Sequence, residues 1–259
     1  NSTNQEMFFR GHSNLNWSLV PSVYRNDWIN NEHNMFREIL LRNPNEFYNT
    51  KSTFEKLTIM QHYELPTRLL DITKNPLVAL FFACSVDHQA NYPGEVYILV
   101  PKTDDIKFFD SDTVSMLSNL AKAERDFCIE NLQNKDQFAE SEIGGKLLHL
   151  IKEEKPYFLS VMQPSDFRRT IIVKPINNNE RIKRQQGYFI LFGIEKNIFF
   201  PAKLNMNFSY KQKKIKFIID SDSKKNILKE LESVGISNNS LFPEIVNGTK
   251  FIRENYEYK

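Results

Sequence analysis

The stretch Gln61-His62-Tyr63-Glu64-Leu65-Pro66-Thr67-Arg68-Leu69-Leu70-Asp71-Ile72-Thr73-Lys74-Asn75-Pro76, running on into Leu77-Val78-Ala79-Leu80-Phe81-Phe82-Ala83-Cys84, decides the fold. Pro66 pushes the residue before it out of helical geometry. Thr67 to Ile72 is too apolar and too short for anything but a buried strand or a tight loop. Asn75-Pro76 then opens a helix in the expected order, a capping side chain followed by Pro at the first helical position. The helix from Leu77 to Val86 is apolar on nearly every face, which places it at the centre of the core.

Working outward, Met7 to Gly11 reads as a short buried strand ending at a glycine, followed by the polar turn His12 to Asn16 and an extended segment over Trp17 to Pro21. Asn30 to Phe47 has Met35, Phe36, Ile39 and Leu40 at helical spacing. Lys51 to Met60 is a second helix, with Ser52 as cap and Glu55 three residues on. Strands are expected over Gly94–Val100, Lys107–Phe109, Tyr157–Met162, Thr170–Val173, Gly187–Phe192 and Ile215–Ile219, which are rich in β-branched and aromatic residues. Helices are expected over Ser115–Leu132, Glu142–Glu154, Ser223–Val234 (stopped by Gly235) and Phe242–Tyr256. Helices cluster early and strands late, without regular alternation. That order predicts an α+β fold, one domain over residues 1–259, with a central mixed or antiparallel sheet flanked by helices.

The chain has 259 residues, with 41% hydrophobic and 25% charged, the proportions of an ordinary globular protein. Many aromatics and only 8 Gly point to close packing. The net charge of +2 gives no global pull on polyanions. Local basic runs (Arg168-Arg169; Arg181, Lys183 and Arg184; Lys211, Lys213, Lys214 and Lys216) read as solvated faces, with a phosphate or RNA surface as the alternative. Cys84 and Cys128, in unrelated contexts, fit a reducing compartment better than a disulfide scaffold. No basic n-region and apolar h-region open the chain, and the longest apolar run is far too short for a bilayer. The expectation is a cytoplasmic protein without a membrane span.

Most catalytic motifs are absent. No Gly-rich phosphate loop, H-E-x-x-H, C-x-x-C or G-x-S-x-G occurs, and the five histidines lack metal-ligand spacing. No metal is therefore expected. Two places break the rules of ordinary packing. Arg10 directly follows a buried aromatic pair, where an unpaired charge costs several kcal/mol. Either it pairs with a core carboxylate such as Asp71, or its planar fork serves a phosphate or carboxylate ligand, with Gly11 letting that ligand approach the backbone. The Gln61–Thr73 stretch carries more hydrogen-bonding groups than a structural turn needs. His62 is either a satisfied core histidine or a site residue, and Thr73 either a local cap or a site residue. Asp71 is expected to be buried and structural, accepting from Arg68 or Arg10.

Phe8-Phe9-Arg10-Gly11, Trp17-x-Leu19-x-Pro21-Ser22-x-x-x-Arg25 and the opening stretch together resemble the FRG domain family, named for its aromatic-Arg-Gly start. Arg181-x-x-x-Gln185-x-Gly187-x-Phe189 and Ser240-Leu241-Phe242-Pro243-Glu244 are similar to the family's later elements, so the resemblance runs from about residue 7 to about residue 250. It implies a bacterial protein of toxin or defence contexts. A more distant resemblance is to ADP-ribosyltransferases, whose first strand carries an aromatic-Arg-Gly-like motif and whose second ends in Ser/Thr before an apolar helix. It implies a split sheet and NAD as substrate. Arg10, Gly11, Arg68 and Thr73 would hold the nucleotide, and His62 and Thr73 would position the ribose. Gln185 stands where that family has its catalytic glutamate, with Glu195 as a substitute at the end of the same predicted strand. Three readings follow: an NAD-using transferase or glycohydrolase; a non-catalytic module binding a nucleotide, RNA or a protein; and a nuclease using His62 and Asp71. A carboxylate beside the Arg10–Thr73 cleft would favour the enzyme.

Overall fold

The computed structural model describes residues 5–85, 91–204, 209–210 and 213–243. The first half contains β1 (Phe8–His12), α1 (Glu32–Arg42), α2 (Pro44–Phe47), α3 (Thr53–His62), β2 (Leu69–Thr73), α4 (Pro76–Cys84), β3 (Gly94–Leu99), β4 (Ile106–Phe108) and α5 (Asp112–Asn119). The second contains α6 (Lys135–Glu140), α7 (Glu142–Lys152), α8 (Pro164–Phe167), β5 (Thr170–Lys174), α9 (Glu180–Arg184), β6 (Gly187–Phe192), β7 (Ser209–Tyr210), β8 (Lys213–Lys214), β9 (Lys216–Ile219), α10 (Lys224–Ser233) and α11 (Asn238–Leu241).

Seven strands form one mixed sheet in the order β4-β5-β6-β2-β1-β3-β9, parallel only between β4 and β5. The α+β expectation holds. The strands from both ends of the opening stretch are central: β2 ladders with β6 over five residue pairs and β1 with β3 over five. Between β1 and β2 the register is a single pair, Phe9 opposite Thr73. The sheet is therefore continuous but barely joined at its middle, where the resemblance implied a split.

Alternation along the strands explains their apolar runs. Leu69, Ile171, Val173, Phe189 and Leu191 pack against the helical layer of α1, α3, α5 and α7, while Leu70, Ile72, Ile172, Ile190 and Phe192 join Phe8 and Leu99 on the opposite face. Both faces are covered, so the strands read as nearly continuous hydrophobics. Sequence signals also set the helix starts. The Ser52–Glu55 capping box opens α3, and Asn75 caps α4 by accepting from the Leu77 N–H at 3.0 Å.

Three expected elements take another form. The helix expected over Asn30–Phe47 breaks at Asn43 into α1 and α2, because Pro44 opens a new helix. The helix expected over Ser115–Leu132 ends at Asn119 and gives way to a 3-10 turn over Leu120–Lys122 and a packed loop. The buried Asn119 amide donates to the Ser115 carbonyl at 2.9 Å and its oxygen accepts from Thr53 at 3.2 Å, anchoring the end. Tyr157–Met162 alternates like a strand, yet it pairs with no strand among the described residues and forms a loop. The helix expected over Phe242–Tyr256 lies outside the described residues beyond Pro243.

Candidate functional site

Where β1 and β2 part, a cleft of about 210 Å³ opens. Its polar wall includes Arg10, Gly11, His12, Gln61, His62, Asp71, Thr73, Arg181 and Gln185, and its aromatic wall Phe9, Trp17, Phe82, Tyr188 and Phe189. The fold thus gathers the two halves of the sequence that carried most of the polar signals.

Arg10 spans the gap between the strands. Its Nε donates to His12 Nε2 at 2.8 Å and its NH1 donates to the Asp71 peptide carbonyl. Both acceptors are neutral, and no carboxylate forms an ion pair with it among the described residues. Burial pushes its pKa down to about 10, with Asp71 opposing the shift. Arg68 is the contrast. It is fully buried and donates to Glu32 through both Nε and NH2, with Nε at 3.0 Å, and its NH1 reaches the Phe192 carbonyl at 3.4 Å. Burial works against its charge, but Glu32 and Tyr24 outweigh it and hold the guanidinium above its ordinary value. Arg68 is therefore a structural arginine in the core. It does not reach the cleft, where the sequence reading had put it among the nucleotide-holding residues.

Asp71 also departs from expectation. It is exposed, and its carboxylate lines the cleft rather than neutralising a buried arginine. Gln61 Nε2 donates to Asp71 Oδ2 at 2.8 Å, and Gln61 Oε1 accepts from Thr67 at 2.5 Å, so a three-residue chain orients the acid. Thr73 is buried and occupied: its hydroxyl donates to the Gln185 carbonyl at 2.7 Å and accepts from the Asn75 N–H at 2.9 Å. The Gln185 side chain donates to the Leu241 carbonyl at 3.1 Å, which ties α9 to the C-terminal segment. Glu195 lies outside the cleft lining; its backbone serves Phe200 and Arg168. His62 lines the cleft, and its carbonyl accepts from Arg181 at 3.4 Å. Gly11 lines it too, but a Cβ there would lie 1.8 Å from the Ala79 carbonyl oxygen, so the missing side chain makes room for α4.

Two functional neighbours were missed. His12, read as turn, is the last residue of β1. It is 1% exposed, and burial, with Arg10 and Arg25, drives its pKa down to about 2. Its spacing of two from Arg10 on a strand was the available signal. Arg25 lies over Trp17 at 5.9 Å and donates to the Val20 carbonyl at 2.9 Å, and burial lowers its pKa against the pull of Asp71. Arg181, stacked on Phe242 at 4.7 Å, lines the cleft with Arg10, while Arg25 stands beside the lining. None of the three has a carboxylate ion pair among the described residues. Nor does any group of three or more His, Cys, Asp or Glu there suit a metal ion, and no described helix is long and apolar enough to cross a membrane.

Residues 5–92 match the FRG domain. This chain carries an FRG domain. The match covers β1 through α4, the segment that builds Arg10, Gln61, His62, Asp71 and Thr73 into one cleft. It is shorter than the resemblance read from the sequence, and the Arg181–Phe189 and Ser240–Glu244 elements lie outside it. No curated protein and no solved structure matches the chain.

Proposed function

We propose that the FRG cleft binds a nucleotide diphosphate of the NAD type and hydrolyses the bond between nicotinamide and ribose. The observation that carries this reading is the contrast between a buried and a half-buried arginine: Arg68 has its own carboxylate, whereas the Arg10 guanidinium donates only to neutral acceptors. A guanidinium kept charged in a partly apolar cleft without a carboxylate in ion-pair contact is suited to an incoming anion. Arg25 and Arg181 add charge around it, and Trp17 and Tyr188 supply faces for a base or nicotinamide ring.

Asp71 supplies the carboxylate that the enzyme reading required. Aimed at the anomeric carbon, it would stabilise the oxocarbenium-like centre as nicotinamide leaves. Water then adds to that carbon and loses a proton, giving ADP-ribose, nicotinamide and H⁺. Gln185 and Glu195, the sequence-derived candidates for this role, are supported less well, the first because its amide is tied to Leu241 and the second because it stands outside the cleft lining. The RNA-binding alternative loses support from its own residues. Arg169 is paired with Asp105 and Lys183 with Glu180, while Arg168 caps carbonyls.

The test is incubation of the purified chain with NAD labelled in the adenylate, with and without cell extract, alongside Asp71→Asn. The expected result is free nicotinamide from the parent and its loss in Asp71→Asn at unchanged melting temperature. Label in protein or RNA would make the activity a transfer, the form a toxin or defence effector would use. Binding of ADP-ribose without release of nicotinamide would leave a nucleotide-binding module.

A further inference from the structure

Beside Arg10, on the same face of β1 and β3, the sheet carries further polar side chains that nucleotide binding as described does not use. In the β1–β3 ladder Arg10 stands opposite Tyr97 and His12 opposite Glu95. Glu95 is 0% exposed, a fully buried carboxylate. Its Oε1 accepts from the Tyr97 hydroxyl and lies 3.7 Å from His12 Nδ1, and its Oε2 accepts from Lys216 Nζ at 3.1 Å. The Trp17 carbonyl also favours a proton on the His12 ring. His12 Nε2 receives the Arg10 Nε–H at 2.8 Å, whereas Nδ1 has the Glu95 carboxylate 3.7 Å away, near but beyond hydrogen-bonding distance.

These contacts fix the chemistry of the ring. A neutral imidazole has one N–H and one bare nitrogen, and which is which follows from what each nitrogen faces. Because Nε2 accepts from Arg10 it is the bare nitrogen, and the proton sits on Nδ1, on the side of the Glu95 carboxylate. The opposite tautomer would set N–H against N–H at Arg10 and turn the fork away.

We propose that Glu95 and His12 form a carboxylate–histidine–arginine triad in which both act as positioning residues, Glu95 holding the His12 tautomer and His12 holding the Arg10 fork toward the anionic group of the ligand. The inference rests on the nucleotide reading of the cleft. It gives a reason for a buried acid beside a buried histidine in a β-ladder, where an apolar pair would pack without desolvation cost.

A double-mutant cycle tests it, read as ADP-ribose affinity by calorimetry with melting temperatures in parallel. Glu95→Gln keeps the shape but removes the charge that holds the tautomer, and should weaken binding by about tenfold, the order seen when a partner behind a ligand-orienting histidine is removed. His12→Gln places an amide oxygen where Nε2 stood and should retain binding within about threefold, whereas His12→Leu, with no acceptor, should lose about tenfold or more. In the His12→Gln background, Glu95→Gln should have no further effect, because no tautomer is left to hold. Nitrogen-15 spectra of labelled histidine should show His12 protonated at Nδ1 in the parent. An equal loss in both backgrounds, or no loss in either, overturns the triad while leaving the nucleotide site standing. A parent that binds neither ADP-ribose nor NAD overturns the nucleotide reading itself, and the triad with it.

Discussion

At the scale of single residues, the fork of Arg10 and the charge of Arg68 do different work, and substitution separates them. Lys at position 10 keeps the charge but not the planar fork, so Arg10→Lys should be nearly as damaging to ADP-ribose binding as Arg10→Ala. A charge-assisted bidentate contact is worth roughly 2–3 kcal/mol, so calorimetry should register a loss of about 30- to 150-fold for either variant, with melting temperatures little changed. Glu32→Ala should do the reverse, leaving Arg68 buried without its partner and costing about 3–5 kcal/mol of stability in denaturant titrations. The sequence could not tell the two arginines apart. Both stand beside apolar pairs, and what distinguishes them is Glu32, a carboxylate 36 residues from Arg68 at the start of a helix whose burial no local pattern announces. His12 makes a further prediction. It is buried neutral among Arg10, Arg25, Tyr97 and Glu95, with its folded pKa far below the unfolded value of about 6.5. Its contribution to stability is therefore complete above pH 6.5 and falls as the pH drops, because the unfolded chain takes up the proton that the folded one refuses. Between pH 6.5 and 5 this amounts to about 2 kcal/mol. Urea unfolding at the two pH values should show that loss in the parent and a smaller one in His12→Gln.

At the scale of elements, the cleft exists because β1 and β2 are each fully engaged on their outer sides and joined to each other by one pair. What holds β1 in place is α4, whose backbone comes close enough at Ala79 and Ala83 to exclude any side chain at Gly11 or Gly94. Gly11→Ala should thus act through packing: a Cβ 1.8 Å from a carbonyl oxygen forces the helix off the strand, a cost of about 3 kcal/mol or more. Gly145 on α7 has nothing within 4 Å, so Gly145→Ala should stabilise by up to about 1 kcal/mol through helix propensity. Thermal melts of the two variants check both signs. The strand–helix unit around β2 and α4 was legible because its signals are local: Pro66, the Asn75-Pro76 start and an apolar run of helical length. The loop at Tyr157–Met162 was not. Its exposed Tyr157, Leu159 and Val161 and its buried Phe158 and Met162 give most of a strand's alternation, but a strand also needs a neighbour to bond with, and that is a property of the fold. The end of α5 at Asn119 was hidden for a similar reason, since the residues beyond it are apolar enough to continue a helix and are instead packed as loop.

For the molecule as a whole, the question is whether its positive charge belongs to a surface or to a site. The net charge is only +2, and most members of the basic runs whose side chains are described have partners within the chain. Arg169 and Lys183 have carboxylate partners, Lys216 meets Glu95, and Arg168 and Arg184 donate to carbonyls. Arg10 and Arg181, which have no carboxylate ion pair among the described residues, line one cleft, and Arg25 lies close enough to act on Arg10 and Asp71. A long single strand gains affinity by releasing one counter-ion per phosphate neutralised, with a salt slope of about −0.7 for each. With three cations to offer, the slope for a single-stranded RNA should be about −2, and its affinity at physiological salt should be no tighter than the micromolar range of non-specific binding. ADP-ribose should compete with whatever RNA is bound, because both would need the same arginines, and Arg184→Ala should leave both ligands unaffected. Fluorescence anisotropy with a labelled RNA across a salt series, with and without ADP-ribose, measures all of this. Nanomolar RNA binding that ADP-ribose does not displace and that Arg184→Ala weakens would place the partner on the outer face of the late strands and make the molecule an RNA-binding module.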